Sequence, residues 1–290
     1  MDPSPTYPTF AERLHRRKHL WWGRPPSPAV GLHRLWDRYR LRDHRWPLAR
    51  WRCCDVWQRS LLNKWNAREF ATMLGVTVPE LYWSGRRIGA LPLNELPERF
   101  VIRPAWGTRG AGIYVMNGDT DLISARRLSR QLLHEELRAH HGPVARFPLL
   151  VEALIPDGEG RAVQGHEYRC YLFGGTIGAI RVTQGGVRAG EVCRYSAYYS
   201  AAWQRFDDPF RFGNPLSAPI PRPPALDRLL EAVRRIGTAA GTFLRVDCYL
   251  PPSGPVFGEI SSTPSGGLGY TPFANALFGR PWQEHLGDAS

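Results

Sequence analysis

The sequence predicts an α+β fold, and three observations predict it: two hairpin signals, a stretch of helical periodicity between them, and no internal repeat. The first hairpin signal is Gly174-Gly175, a two-residue turn between the strand-like runs 167–173 and 176–183. The second is Pro251-Pro252-Ser253-Gly254-Pro255, whose residues fix or free φ between the runs 242–250 and 256–262. Between the hairpins, Leu226, Leu229, Leu230, Val233 and Ile236 recur at helical spacing.

The remaining elements follow in order. Residues 1–54 are rich in Arg, Trp and Pro, with a short helix expected over 10–22 that Arg24-Pro25-Pro26-Ser27-Pro28 breaks. Arginine interleaved with Trp21, Trp22, Trp36, Trp46 and Trp51 has the composition of a single-strand nucleic-acid platform. An arm packing its indoles on the main body explains the same pattern and is preferred. Helical spacing over 55–74 offers Leu61, Leu62, Trp65 and Met73 as an apolar face, with Gly75 as the stop. An extended piece, 76–81, comes next. Residues 100–104 read as a strand with 112–116 as partner, then a basic helix between Leu122 and His141, then an apolar strand at 149–154. Residues 207–224 are a Pro-rich connection, and a Gly-rich tail follows the second hairpin. The expected units are an arm at 1–54, a first lobe at 55–148 and a second at 149–290.

Bulk composition excludes several classes. At 43% hydrophobic and 22% charged over 290 residues, the chain has the make-up of a soluble globular protein, not a disordered one. Only Lys18 and Lys64 are lysines, so a net charge of +12 rests almost wholly on arginine. That excess fits a general arginine bias better than a nucleic-acid partner. The five cysteines are odd in number and contain no C-x-x-C, which argues against a disulfide framework or zinc site. Cys170 and Cys248 fall in strand-like runs as small core residues. No basic-then-apolar leader and no membrane-length apolar run occur, so a cytoplasmic location is expected.

The second hairpin carries the chemistry. Symmetry about Ser253 sets Asp247 opposite Glu259 and Arg245 opposite Ser261. Alternation puts Phe243, Arg245, Asp247, Glu259 and Ser261 on one face, and Leu244, Val246, Cys248, Leu250, Val256 and Ile260 on the other. Facing carboxylates repel unless a cation compensates them. Arg245 can do so on a solvent-facing strand pair; magnesium, which takes one or two carboxylates and completes its sphere with water and phosphate, can do so in a site. The loop Ala105-Trp106-Gly107-Thr108-Arg109-Gly110-Ala111-Gly112 joins two apparent strands, and its glycines would let backbone N–H groups approach phosphates. It is neither a P-loop nor a dinucleotide fingerprint.

Together these segments resemble the TupA-like branch of the ATP-grasp superfamily. The likeness is carried by residues 100–107 (FVIRPAWG), 151–155 (VEALI), 167–175 (EYRCYLFGG), 244–249 (LRVDCY) and 257–269 (FGEISSTPSGGLG). It spans about 55–286, and 8–14 is similar to the branch's opening segment. The resemblance implies two α+β lobes with ATP held between them and the Arg/Trp-rich arm in front. It implies that Lys64 and Arg103 bind phosphate, arginine standing where lysine is commoner. Gly107, Thr108, Gly110 and Gly112 would form the lid. Glu152, Ala153 and Leu154 would form the hinge that meets adenine, with Glu167 a second ribose acid. Asp247 and Glu259 would hold Mg2+, with Ser261 where many relatives have Asn, and Arg245 would steady an oxyanion. Arg188 or Arg194 stands near a missing phosphate-binding lysine, and residues 263–271 would line the acceptor site. Arg181 is a candidate for binding an acidic substrate.

The implied reaction joins a carboxylate to an amine, or to a peptide, through an acyl phosphate, with small molecules as partners, in secondary-metabolite or cell-envelope biosynthesis. An ATP-dependent phosphotransferase and an Arg/Trp-rich nucleic-acid binding protein are the alternatives. Neither the substrates nor the oligomeric state is legible.

Overall fold

The helix expected over 55–74 divides at Asn63, whose side chain accepts a hydrogen bond from Trp65 N and caps the segment that follows. A 3-10 turn, Trp57–Leu62, precedes the cap, and helix α1 (Lys64–Met73) follows it. The new start resets the helical phase. Lys64, Ala67, Phe70 and Ala71 are buried, and Met73, expected on the apolar face, is exposed. Gly75 ends the helix at φ +66° as expected. The computed structural model describes residues 57–107, 112–156, 166–188, 191–210, 215–262, 264 and 270–286. The expectations for the N-terminal arm lie outside them.

Strands β1 (Leu81–Arg87), β2 (Arg99–Pro104), β3 (Tyr114–Asn117), β4 (Thr120–Asp121) and β5 (Arg126–Arg127) precede helix α2 (Arg130–His141) and strand β6 (Val144–Ala153). These strands form one antiparallel sheet in the order β1-β6-β2-β3-β4-β5. Strand β1 replaces the extended piece expected five residues earlier. Its Leu-Tyr-Trp-Ser-Gly-Arg-Arg lacks alternation because it is an edge strand, half-buried along most of its length. The helix expected from Leu122 begins only at Arg130. Asp121 holds the chain in a turn by accepting from Val115 N, Ile123 N and Ser124 N, and Ser129 supplies the N-cap. Leu133 and Leu137 of α2 pack on Phe100, Ile102, Leu149 and Val151. The opposite face of β2 and β6 therefore carries Arg103 and Glu152.

A second antiparallel sheet has the order β10-β9-β8-β7-β11-β12. It contains β7 (Glu167–Phe173), β8 (Thr176–Arg188), β9 (Glu191–Tyr199), β10 (Arg205–Phe206), β11 (Phe243–Tyr249) and β12 (Val256–Ser261), with helix α3 (Leu226–Ala240) before β11 and helix α4 (Pro272–Leu286) after β12. One face packs on α3 and α1 through Cys170, Leu172, Val182, Val246, Cys248, Phe70, Leu229 and Val233. The other face divides in two. At one end Tyr171, Phe173, Tyr198 and Phe243 meet Phe278 and Trp282 of α4. At the other end it is charged. Helix α4 was not expected, because Pro272, Gly279 and Pro281 read as breakers; Pro272 stands at the first helical position, where it is tolerated, and buried Phe278 and Trp282 anchor the turn around Pro281. Among the described residues, no helix is long and apolar enough to cross a membrane.

Helix α3 crosses the β7–β8 turn so closely that a Cβ on Gly237 would stand 2.2 Å from the Gly174 carbonyl oxygen. Gly279 has open space around its own Cβ position. Gly237→Ala is expected to destabilise the fold by about 1–3 kcal/mol, and Gly279→Ala to stabilise it by up to ~1 kcal/mol. Urea denaturation of the two variants reads the difference. Equal effects would refute the close approach.

Candidate functional site

The hairpin that the sequence singled out pairs as expected where the chemistry lies. Arg245 opposes Ser261, Val246 opposes Ile260 and Asp247 opposes Glu259. Nearer the turn the register slips, so that Cys248 opposes Phe257 and Gly258 is an extra residue. Phe257 thereby joins the core, where Val256 is also buried as expected.

The charged face is not the solvent-facing pair that the milder reading allowed. Asp247 is buried, and Arg245 grips it with Nε to Oδ1 and Nη2 to Oδ2, both at 2.6 Å. The same Nη2 donates to Glu259 Oε1 at 3.1 Å. On β7, directly across from Asp247, Arg169 is 2.6 Å from Glu167 and 3.6 Å from Asp247 Oδ2. Burial raises the Asp247 carboxyl above its ordinary value, against the pull of Arg245 and Arg169. Burial also works to raise Glu259, but Arg245, Lys64, Arg103 and Arg169 together hold it below its ordinary value.

The first sheet contributes a second network. Glu152, itself buried, receives Arg103 Nε at 2.6 Å on one oxygen and Arg68 Nη1 at 2.7 Å on the other. Arg103 Nη1 reaches across to the carbonyl of Gly258, the bulge residue, at 3.1 Å. Lys64 opens α1 against this group: its backbone N–H donates to Ala105 O at 2.8 Å, and its Nζ to Gly107 O at 3.3 Å. The ammonium is buried and has no carboxylate within ion-pair distance among the described residues, and burial lowers its pKa.

The sequence-expected residues thus fall into place unevenly. Lys64, Arg103, Gly107, Glu152, Arg245, Asp247 and Glu259 converge, and Ser261 lies beside them opposite Arg245. Glu167 is engaged with Arg169. Ala153 ends β6 and donates its N–H to Glu80 O, and Leu154 is the first residue past the strand. Gly112 stands at φ +71° beneath His140 and His141. Arg181 is on β8, opposite Arg169. Thr108 and Gly110 lie outside the described residues, as do the side chains of Arg188 and Arg194 and most of 263–271. Sequence reasoning missed Arg68 and Arg169. Arg68 is one helical turn from Lys64, and Arg169 alternates with Glu167, so both carried a periodicity signal that the general arginine excess concealed.

The donor chemistry at Asp247 and Glu259 fits a hard divalent cation. Both are carboxylates on adjacent strands, Glu259 has one oxygen outside the ion pair, and its side chain is 38% exposed. No group of three or more His, Cys, Asp or Glu converges among the described residues.

Solved structures that this chain matches include D-alanine–D-alanine ligase from Bacillus anthracis, 16% identical with a TM-score of 0.47 over 78% of this chain and 64% of that one. D-alanyl-alanine synthetase A from Vibrio cholerae is 11% identical, with a TM-score of 0.46 over 79% and 66%. A RimK domain ATP-grasp protein from Sphaerobacter thermophilus is 16% identical, with a TM-score of 0.44 over 79% and 68%. The chain spans between 56% and 64% of the length of the first D-alanine–D-alanine ligases it matches. No curated protein matches by sequence. The family described as TupA-like ATPgrasp matches residues 61–288, which take in both sheets and every charged residue of the site. The chain belongs to the TupA-like ATP-grasp family.

Proposed function

We propose that this protein is an ATP-dependent ligase that joins a carboxylate to an amine through an acyl phosphate. The observation that carries the reading is Lys64, a buried ammonium whose Nζ donates to the carbonyl of Gly107 and which has no carboxylate within ion-pair distance among the described residues. A buried charge without a counter-charge is costly, and a polyphosphate would supply one. Arg103 and Arg68 stand beside it, with Glu152 holding both guanidiniums in place.

In this reading ATP lies between the two sheets, adenine at the hinge by Leu154 and the triphosphate over Lys64 and Arg103. The division into lobes at 55–148 and 149–290 belongs to the same proposal. A substrate carboxylate oxygen attacks the γ-phosphorus, the bond to the β–γ bridging oxygen breaks, and ADP leaves. The amine nitrogen then attacks the acyl carbon. The tetrahedral intermediate expels inorganic phosphate, and the nitrogen gives up its proton. The chain's contribution is position and charge. Arg245 Nε and Nη2 are committed to Asp247 and Glu259, which fixes the guanidinium and leaves Nη1 to donate to the oxyanion. Magnesium held by Asp247 and Glu259 would neutralise phosphate charge.

Lys64→Met is expected to raise the melting temperature of the protein alone, because it removes an uncompensated buried charge, and to abolish stabilisation by Mg-ATP. In the wild type that stabilisation is about 2.7 kcal/mol at 100 times Kd. A Mg-ATP shift of normal size in the variant would sink the phosphate assignment. Asp247→Asn and Glu259→Gln are expected to lower phosphate release by about two orders of magnitude or more, with circular dichroism unchanged; near-normal turnover in either removes it from the metal site. Glu152→Gln leaves two guanidiniums without their carboxylate and is expected to cost about 3–5 kcal/mol of stability. A loss below 1 kcal/mol in urea titration would show that solvent already satisfies Arg68 and Arg103.

A further inference from the structure

On the charged face of the second sheet, one cation has no ion-pair partner among the described residues and no part in the chemistry above. Arg181 is 9% exposed; its Nε donates to Ser196 Oγ at 3.0 Å, and its Cζ lies 6.0 Å from the centre of the Tyr198 ring. Its directly opposed neighbour on β7 is another arginine, Arg169, already engaged with Glu167 and Asp247. Like charges so placed destabilise the sheet unless an anion compensates them. A guanidinium cannot escape by losing its proton, and its fork matches an oxyanion. Two hydroxyls nearby are also unsatisfied among the described residues. Thr183, one pleat along β8 from Arg181, and Tyr198, directly across on β9, have buried side-chain oxygens without a hydrogen-bond partner there. Both residues are more than nine-tenths buried.

The register fixes where this group lies. Tyr198, Arg181, Arg169, Asp247 and Glu259 form one row across β9, β8, β7, β11 and β12. Arg103 meets that row at its β12 end, through Gly258. Arg181 is on the other side of Asp247, two strand spacings or about 10 Å away. In the ligase reading, phosphates held by Lys64 and Arg103 would approach the reacting centre from one side, and Arg181 stands on the other.

We propose that Arg181, Ser196, Thr183 and Tyr198 line a pocket for a carboxylate of the substrate that does not itself react. One of the two substrates is then an amino acid, short peptide or dicarboxylic acid that keeps a free carboxylate in the product. This rests on the ligase reading and narrows its substrate class.

The test is a thermal-shift titration of the full chain with glutarate, with inorganic phosphate and with Mg-ATP. Glutarate is expected to stabilise the wild type saturably. Arg181→Gln should weaken its apparent affinity at least tenfold and Thr183→Val several-fold, both with a wild-type response to Mg-ATP. Absence of a glutarate shift, or an equal shift in all three proteins, overturns the pocket. A shift that depends on Arg181 with phosphate alone also overturns it, because the group then belongs to the nucleotide. If Arg181→Gln does not fold, Thr183→Val decides by the same criteria. The ligase reading fails separately: Arg181-dependent glutarate binding without phosphate release from any acid–amine pair leaves the pocket standing and removes the reaction.

Discussion

Arg103 spans the two sheets with both ends of its guanidinium engaged: Nε is held by Glu152 of its own sheet, and Nη1 by the Gly258 carbonyl of the other. A planar fork with fixed donors sets distance and orientation together, which a lysine on a flexible stem does not. The bulge makes the link possible, since Gly258 stands outside the β11–β12 register that pairs Asp247 with Glu259. A Cβ at Gly258 would come 3.0 Å from the Asp247 carbonyl oxygen, so a side chain there would press on the strand that carries the acid. The same residue that departs from the ladder therefore fixes the first sheet relative to Asp247 and Glu259.

Around this link the ionic groups are balanced locally, with two exceptions. Glu152 serves Arg103 and Arg68, Asp247 and Glu259 serve Arg245, and Glu167 serves Arg169. Lys64 and Arg181 are buried without such a partner among the described residues. The two cations differ in how they tolerate this. Burial lowers the pKa of Lys64, so the ammonium can lessen its cost by approaching neutrality. Arginine in general has no such relief. Fully paired charges give a rigid frame, and unpaired ones inside it are places where an anion gains most.

Much of this was legible where the sequence alternates cleanly. The β11–β12 pairing from Arg245 to Asp247, the two-residue turn at Gly174 and Gly175, and helix α3 all follow from local patterns that tertiary packing does not override. The misses share one cause, which is that half of the pattern is supplied from elsewhere. Strand β1 is an edge strand whose half-buried residues show no alternation. Helix α4 contains Gly279 and Pro281 and is held by aromatic packing from the sheet below. Met73 looked apolar enough to face inward, but the cap at Asn63 turned the helix so that Phe70 did. In a chain where nearly every cation is arginine, residue type no longer distinguishes Arg68 and Arg169 from the surface; only their place relative to Lys64, Glu167 and Asp247 does.

The division of the second sheet's inner face explains why a site of this kind can be both polar and stiff. Helix α4 covers the aromatic end, where Tyr171 stacks on Phe278 at 5.0 Å and Phe173 packs on Phe243. Tyr171 is also the cross-strand neighbour of Arg245 and alternates with Arg169 on its own strand. The charged rows thus begin where a packed aromatic layer ends, on strands whose register that layer and the α3 side already fix. The guanidiniums need not be ordered by the ligand, so the entropy of holding them was lost on folding and not at binding. Preorganised donors of this kind act most strongly on charge that develops in place, which is the demand that the proposed acyl transfer would make.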